Sequence, residues 1–360
     1  MSYKGLIGLD LDGTIYNDNK EITKNVMDAI KNAVKQGYVV FPATGRPLNG
    51  VPEDILEIEG VDFILCANGA SIYANVAVLD RLDLSKVSDS IDIIKLKEEA
   101  LGMAESADDN KDSGKKEVLT DKDKLSDEFG KSVSLNGSGI KVLSGNSRII
   151  NIAGKTFVRI YEDYLDSDKV VEVLTILDDF VCVPDCFVEG SGRMPEFGKE
   201  LIPKLGLAPA MQKYILSRRT YYPDLKEYVK SLDKTGEMVE KITVNFYLND
   251  AGIKEKQAAY ESVMKVKDIK VVSGAPHNIE VNTANCDKGE GILKLCELLK
   301  VSPDKTCAVG DDINDYDMVK KAHFGIAMGN AVQEVKDIAD FITKSNEEDG
   351  VKYAIERFIG

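Results

Sequence analysis

The sequence predicts an α/β protein. A parallel sheet with helices on both faces is built from the two ends of the chain, and an α+β domain is inserted between them. Three observations carry this. The first eighty residues alternate strand-length apolar runs with apolar residues at helical spacing, the last eighty repeat that rhythm, and the middle breaks it. Strands that alternate with helices imply crossover connections and a sheet covered on both faces.

Taken in order, Gly5-Leu6-Ile7-Gly8-Leu9 is an apolar run of strand length. Thr23 is placed to cap a helix that carries Val26, Ala29, Ile30, Ala33 and Val34, and Gly37 stands where a C-terminal glycine belongs. Tyr38 to Ala43 and Asp62 to Cys66 are the next strands, and Asn68-Gly69 between apolar stretches predicts a tight hairpin. At the other end, Lys294, Leu295, Leu298 and Leu299 mark a helix, Thr306 to Val309 a strand, Asp317 to Ala322 a helix and Gly325 to Met328 a strand. Val351, Ala354, Ile355 and Phe358 mark the final helix. In the middle, Thr156 to Ile160, Lys241 to Leu248 and Ile269 to Val272 are β-branched or alternating, while Val170 to Leu177 and Tyr221 to Leu232 are helix-like. The expected division is therefore 1–82 plus 277–360 for the parallel-sheet domain and 83–276 for the insert. Within the insert, 98–131 is rich in Asp, Glu, Lys and Ser and reads as a solvated charged stretch.

Charge narrows the partners. Of 360 residues, 46 are Lys or Arg and 61 are Asp or Glu, a formal charge of −15. That balance argues against nucleic acid or an anionic membrane surface. The nearest approach to a membrane span, Val61 to Leu79, is interrupted by Asp62, Asn68, Ser71 and Asn75. Six sparse cysteines and an N-terminus unlike an export signal predict reduced thiols and a cytoplasmic protein. The pair Cys182 and Cys186 has no second ligand pair with which to hold zinc.

Four polar segments each fall at or beside a predicted strand or helix end, where open α/β sheets place their ligand crevice. In Asp10-Leu11-Asp12-Gly13-Thr14, two carboxylates two residues apart can reach one site. Such a pair suits a hard cation, and one member can attack phosphorus while the other moves a proton. Ala43-Thr44-Gly45-Arg46-Pro47 offers a hydroxyl and free N–H groups for phosphate oxygens. Asp287-Lys288-Gly289 puts a lysine at a helix start, which the helix dipole disfavours unless an anion sits there. Gly310-Asp311-Asp312-Ile313-Asn314-Asp315 crowds three carboxylates that repel one another unless solvated or bound to a cation. Each segment alone is also an ordinary polar turn, loop or cap.

Other patterns fail. Asp10, Asp12 and Glu21 mimic a calcium loop, but Ile15 stands where glycine is needed and a strand precedes the loop. Gly154-Lys155-Thr156 lacks the upstream glycine of a nucleotide-binding loop. Only two histidines, His277 and His323, are present, and neither a histidine metal triad nor a Ser-His-Asp site follows.

Together and in this order, the four segments resemble the haloacid-dehalogenase superfamily of phosphohydrolases, most of all its Cof-type, class IIB-capped branch. The resemblance covers about 1–80 and 277–360 and includes Met318 to Ala331. It implies a Rossmann-like core with an inserted cap, and a phosphoric monoester hydrolase. Asp10 would be the nucleophile that forms an aspartyl-phosphate, and Asp12 the acid and then the base. Thr44, Gly45, Lys288 and Asn314 would hold the phosphoryl group. Mg²⁺ would be held by Asp10, Asp311 and the Asp12 main-chain carbonyl, with Asp315 orienting Lys288 or the metal shell; Asp312 receives no role. An acid/base at Asp12 implies rapid dephosphorylation. The physics agrees: one Mg²⁺ and one Lys offset most of the charge of two carboxylates and a phosphate dianion.

The expected activity is therefore Mg²⁺-dependent hydrolysis of a small phosphorylated metabolite, a sugar phosphate or a phosphorylated cofactor. The alternatives are a hexose phosphomutase and a non-catalytic phosphometabolite-binding protein. Arg193, Glu196 and Lys199 lie in the insert within conceivable reach of substrate, though charged residues are mostly exposed. Neither the identity of the substrate nor the oligomeric state is legible.

Overall fold

A computed structural model describes residues 3–87, 91–99, 141–142, 149–273 and 275–360. The expected charged stretch 98–131 lies outside them beyond residue 99. Strands β1 (Gly5–Leu9) and β2 (Tyr38–Pro42) open the chain. Strands β3 (Phe63–Cys66), β4 (Ser71–Asn75), β5 (Lys141–Val142), β6 (Ile149–Ile152) and β7 (Lys155–Glu162) follow. Next come β8 (Val183–Val188), β9 (Ser191–Pro195), β10 (Arg219–Tyr222), β11 (Val239–Asn245), β12 (Ile269–Val272) and β13 (Asn278–Thr283). The last three are β14 (Thr306–Gly310), β15 (Phe324–Ala327) and β16 (Phe341–Ile342).

These strands form three sheets. The first, β16-β15-β14-β1-β2, is parallel throughout, as the alternation of both chain ends predicts. Its first crossover helix, Lys24–Lys35, is capped by Thr23, whose hydroxyl accepts from the Val26 N–H at 3.2 Å. The helix buries Val26, Ala29, Ile30 and Ala33 against the sheet, and Gly37 turns the chain at φ +94°. The second sheet, β3-β4-β7-β6-β5, is antiparallel. Its hairpin turn at Asn68-Gly69 takes φ of 62° and 102°, the left-handed region expected of that dipeptide. The third sheet, β10-β9-β8-β11-β13-β12, is antiparallel except for its β9/β10 edge. No helix among the described residues is long and apolar enough to cross a membrane.

Strand pairing divides the chain elsewhere than at 82/83 and 276/277. Ile149, Ile152, Phe157 and Ile160 of β6 and β7 belong to the same apolar core as the parallel sheet, although the expected insert contains them. Conversely, β13 lies past residue 277 yet pairs with β11 and β12, and its Ile279 and Val281 pack in the third sheet's core. Period-two alternation shows that a segment is a strand; its partner is a tertiary fact. The expected helix Tyr221–Leu232 is also corrected. Tyr221 and Tyr222 close β10, and the helix runs Leu225–Thr235 with Asp224 as its cap. Pro223 disfavours helical backbone at the residue before it.

Candidate active site

Because β1 pairs with both β2 and β14, the loops that leave these three strands meet at one sheet edge. The Asp10 N–H donates to the Val309 carbonyl at 3.0 Å, and the Ala43 N–H to that of Leu9 at 2.8 Å. Asp10, Thr44 and Asp311 are thereby delivered side by side. Gly13, at φ +81°, lets the first loop fold back so tightly that a Cβ there would come within 2.3 Å of Asp311 Oδ2. Thr14 Oγ1 donates to Asp311 Oδ1 at 2.7 Å.

Lys288 enters from the helix Lys288–Leu299, which Asp287 caps by accepting from the Glu290 N–H at 2.9 Å. Ile292 and Leu295 anchor that helix in the core. Lys288 is fully buried, with Nζ 2.5 Å from Asp10 Oδ1 and 2.6 Å from Asp315 Oδ1. Burial works against its charge, but the two carboxylates outweigh it and raise its pKa. The other oxygen of Asp315 accepts from the N–H groups of Asp311 and Asp312 at 2.9 and 3.1 Å. Asp315 thus holds Lys288 and the loop together.

Carboxylate oxygens of Asp10, Asp311 and Asp315 lie within 4.8 Å of one another. Burial, then the charge of Asp315, pushes Asp10 up despite Lys288. Burial, then Asp10 and Asp315, pushes Asp311 up. Burial is the larger cause of both shifts, and the part due to neighbouring carboxylates is what a cation relieves. With Asp315 engaged by Lys288 and the loop, Asp10 and Asp311 present the oxygen donors that suit a hard divalent ion.

Asp12 is half-exposed, and both its oxygens face cations. Arg46 donates from Nε to Oδ2 at 2.8 Å and from Nη2 to Oδ1 at 2.7 Å, and Lys20 Nζ lies 3.0 Å from Oδ1. Burial opposes its ionisation, yet Arg46 and Lys20 hold its pKa below the ordinary value.

A cleft of about 270 Å³ is lined by Asp10, Asp12, Thr44, Gly45 and Asn314 on one side, and by Asp185, Phe187, Thr243 and Glu280 of the third sheet on the other. The sequence-predicted residues therefore gather at one place, with Lys288, Asp311 and Asp315 directly behind Asp10. Arg193, Glu196 and Lys199 do not line this cleft; Arg193 instead donates from Nε to the Tyr228 hydroxyl at 3.3 Å.

Sequence reasoning left Arg46 without a role and missed Lys241 and Glu280. The one available signal was Glu240-Lys241, charged and yet inside an apolar strand. Lys241 Nζ lies 2.6 Å from Glu280 Oε1 and 2.9 Å from the Gly45 carbonyl oxygen.

The haloacid dehalogenase-like hydrolase family matches residues 7–136 and 126–355 of this chain. The phosphatase YwpJ of Bacillus subtilis is 28% identical over 61% of this chain and 81% of its own. The 5-amino-6-(5-phospho-D-ribitylamino)uracil phosphatase YwtE of the same organism is 24% identical over 98% and 97%. A solved subclass IIB sugar phosphatase of the haloacid dehalogenase superfamily superposes with a TM-score of 0.61 at 17% identity, over 98% of both chains.

Proposed function

We propose that this chain, which belongs to the haloacid dehalogenase-like hydrolase family and is a phosphoric monoester hydrolase, works through a covalent aspartyl-phosphate on Asp10. The observation that carries the reading is the meeting of Asp10, Lys288 and Asp311 beside the Thr44–Gly45 loop. Asp10 attacks the phosphorus in line, and its bond to phosphorus forms as the bond to the leaving oxygen breaks. Asp12 supplies the proton to that oxygen. It then takes a proton from the water that attacks the same phosphorus and frees Asp10. The second step needs Asp12 ionised, which is the state Arg46 and Lys20 favour. The first needs it protonated, so the leaving group must loosen the Arg46 contact as it arrives. Thr44, the Gly45 N–H, Asn314 and Lys288 receive the phosphoryl oxygens, and Asp315 keeps Lys288 aimed.

Mg²⁺ held by Asp10, Asp311 and the Asp12 main-chain carbonyl would offset the charge of the phosphoryl group. The third sheet covers the cleft and meets the leaving group. The substrate is a small phosphorylated metabolite, a sugar phosphate or a phosphorylated cofactor precursor. The names of the similar proteins, a ribitylaminouracil phosphate phosphatase and a sugar phosphatase, support that class.

Asp10→Asn tests the reading. Phosphate release from p-nitrophenyl phosphate should fall by about 10⁴-fold or more, with an unchanged circular dichroism spectrum. Undiminished release would refute it.

A further inference from the structure

We infer that Lys241 is a positioning residue for phosphoryl transfer: it reaches from the third sheet into the Thr44–Arg46 loop and sets the direction of the Thr44 hydroxyl. This rests on the phosphoryl-transfer reading above.

Alternate residues of β11 face opposite ways. Ile242 and Val244 pack into the third sheet's own core, so Lys241 and Thr243 face the cleft side. Lys241 is fully buried, and an ammonium so placed is costly unless its donors are met. Glu280 answers its charge at 2.6 Å. Its second contact, 2.9 Å to the Gly45 carbonyl oxygen, does different work.

That oxygen belongs to the peptide whose N–H is Arg46's, and the Arg46 N–H donates to Thr44 Oγ1 at 3.1 Å. A planar peptide held at its oxygen is held at its N–H as well. With this acceptor position of Thr44 taken, the hydroxyl's own proton is turned away from Arg46 and is free to donate to a phosphoryl oxygen.

The loop is also held from the other side. The Asn68 N–H donates to the Thr44 carbonyl at 3.1 Å, and Asn68 Nδ2 donates to Glu280 Oε2 at 2.8 Å. Thr44, Gly45, Lys241, Glu280 and Asn68 thus close a ring of contacts across three sheets. Glycine at 45 suits this crowding. A Cβ there would lie 2.8 Å from Asn68 Oδ1, 3.1 Å from Lys241 Nζ and 3.2 Å from Asn314 Nδ2. The phosphate cradle therefore takes its final geometry only when β11 is seated over it.

The test is a double-mutant cycle in the full chain, read as kcat and KM for p-nitrophenyl phosphate, with Thr44→Val and Lys241→Met. Lys241→Met should lower kcat about tenfold to a hundredfold, no more than loss of a direct oxyanion donor, with a smaller change in KM. The double variant should be within about twofold of Thr44→Val alone. Effects that multiply would overturn the inference, because Lys241 would then act apart from Thr44, as a latch or as a direct phosphate ligand. An unchanged kcat in Lys241→Met would overturn it too. Since Lys241→Met strands Glu280, the charge-free variant Lys241→Met with Glu280→Gln is measured alongside. It must show the same loss; recovery of wild-type kcat would assign the loss to the stranded carboxylate. If Asp10→Asn is inactive while Lys241→Met is unimpaired, the inference alone falls. If Asp10→Asn still turns over, the phosphoryl-transfer reading falls with it.

Discussion

Two buried clusters in this molecule gather carboxylates at a cation and differ in what can reach them. At the cleft, Lys288 meets Asp10 and Asp315 at 2.5 and 2.6 Å, with Asp311 beside them. Where the second and third sheets join, Arg159 meets Glu162, Glu189 and Glu240 at 3.2, 2.5 and 3.6 Å. Among the described residues, each sets three carboxylates around one cation. The first borders the cleft, so a divalent cation and a phosphoryl group can enter and balance it. The second is sealed, with Arg159 at 1% and Glu240 at 0% exposure, and there burial favours a proton on Glu240. Burial pushes Glu240 up to about 7; Arg159 opposes this and Glu189 adds to it. Surplus buried charge marks a functional site only where a ligand can reach it.

The comparison breaks first at Asp311. Asp311→Asn removes one carboxylate from the open cluster, and half-saturation by Mg²⁺ in a phosphate-release titration should weaken about 100-fold, with kcat falling comparably. Chelation of divalent ions should abolish turnover by the wild-type enzyme, and added Mg²⁺ should restore it. Activity indifferent to both would remove the open cluster's distinguishing property.

The sealed cluster is sharpened by Glu240→Gln. The folded-state value of Glu240 is raised from 4.5 to about 7, so between those values the native state holds a proton that the unfolded chain has lost. Wild-type stability should therefore fall as pH rises through that window, by about 2 kcal/mol. Gln cannot ionise and still accepts from the Gly190 N–H as Glu240 does at 3.0 Å. Urea unfolding at pH 5 and pH 8 should show this part of the loss in the wild type and not in the variant. An equal loss in both would show that Glu240 does not hold this proton.

The smallest effect belongs to Lys20, an exposed partner of Asp12 with 57% of its side chain accessible. Lys20→Ala should leave stability within about 1 kcal/mol. It should also move the acid limb of the pH–rate profile upward, because one of the two cations that hold Asp12 low is gone. A limb that moves downward would contradict that electrostatic role.

How much of this was legible in the sequence follows from the kind of information each residue carries. Asp10, Thr44, Lys288 and Asp311 each sit within a few residues of a segment whose strand or helix character is local, and in a parallel sheet such ends must gather at one edge. Lys241 and Glu280 lie within strands, and their importance comes from β11 pairing with β13, a register no local pattern fixes. The same limit hid β8 and β9, where Pro184, Asp185, Gly192 and Arg193 mask strand character. It also misplaced β6, β7 and β13 across the expected divisions.

The central claim is a covalent phosphate on Asp10, and Asp12→Asn offers the most direct view of it. With p-nitrophenyl phosphate the leaving group departs without help, while the variant lacks the base for the water step. Acid-quenched samples should then show a burst of p-nitrophenol and a mass gain of one phosphoryl group on the peptide that contains Asp10. Steady release of phosphate with that peptide unmodified, or the phosphoryl group on another residue, would contradict the account.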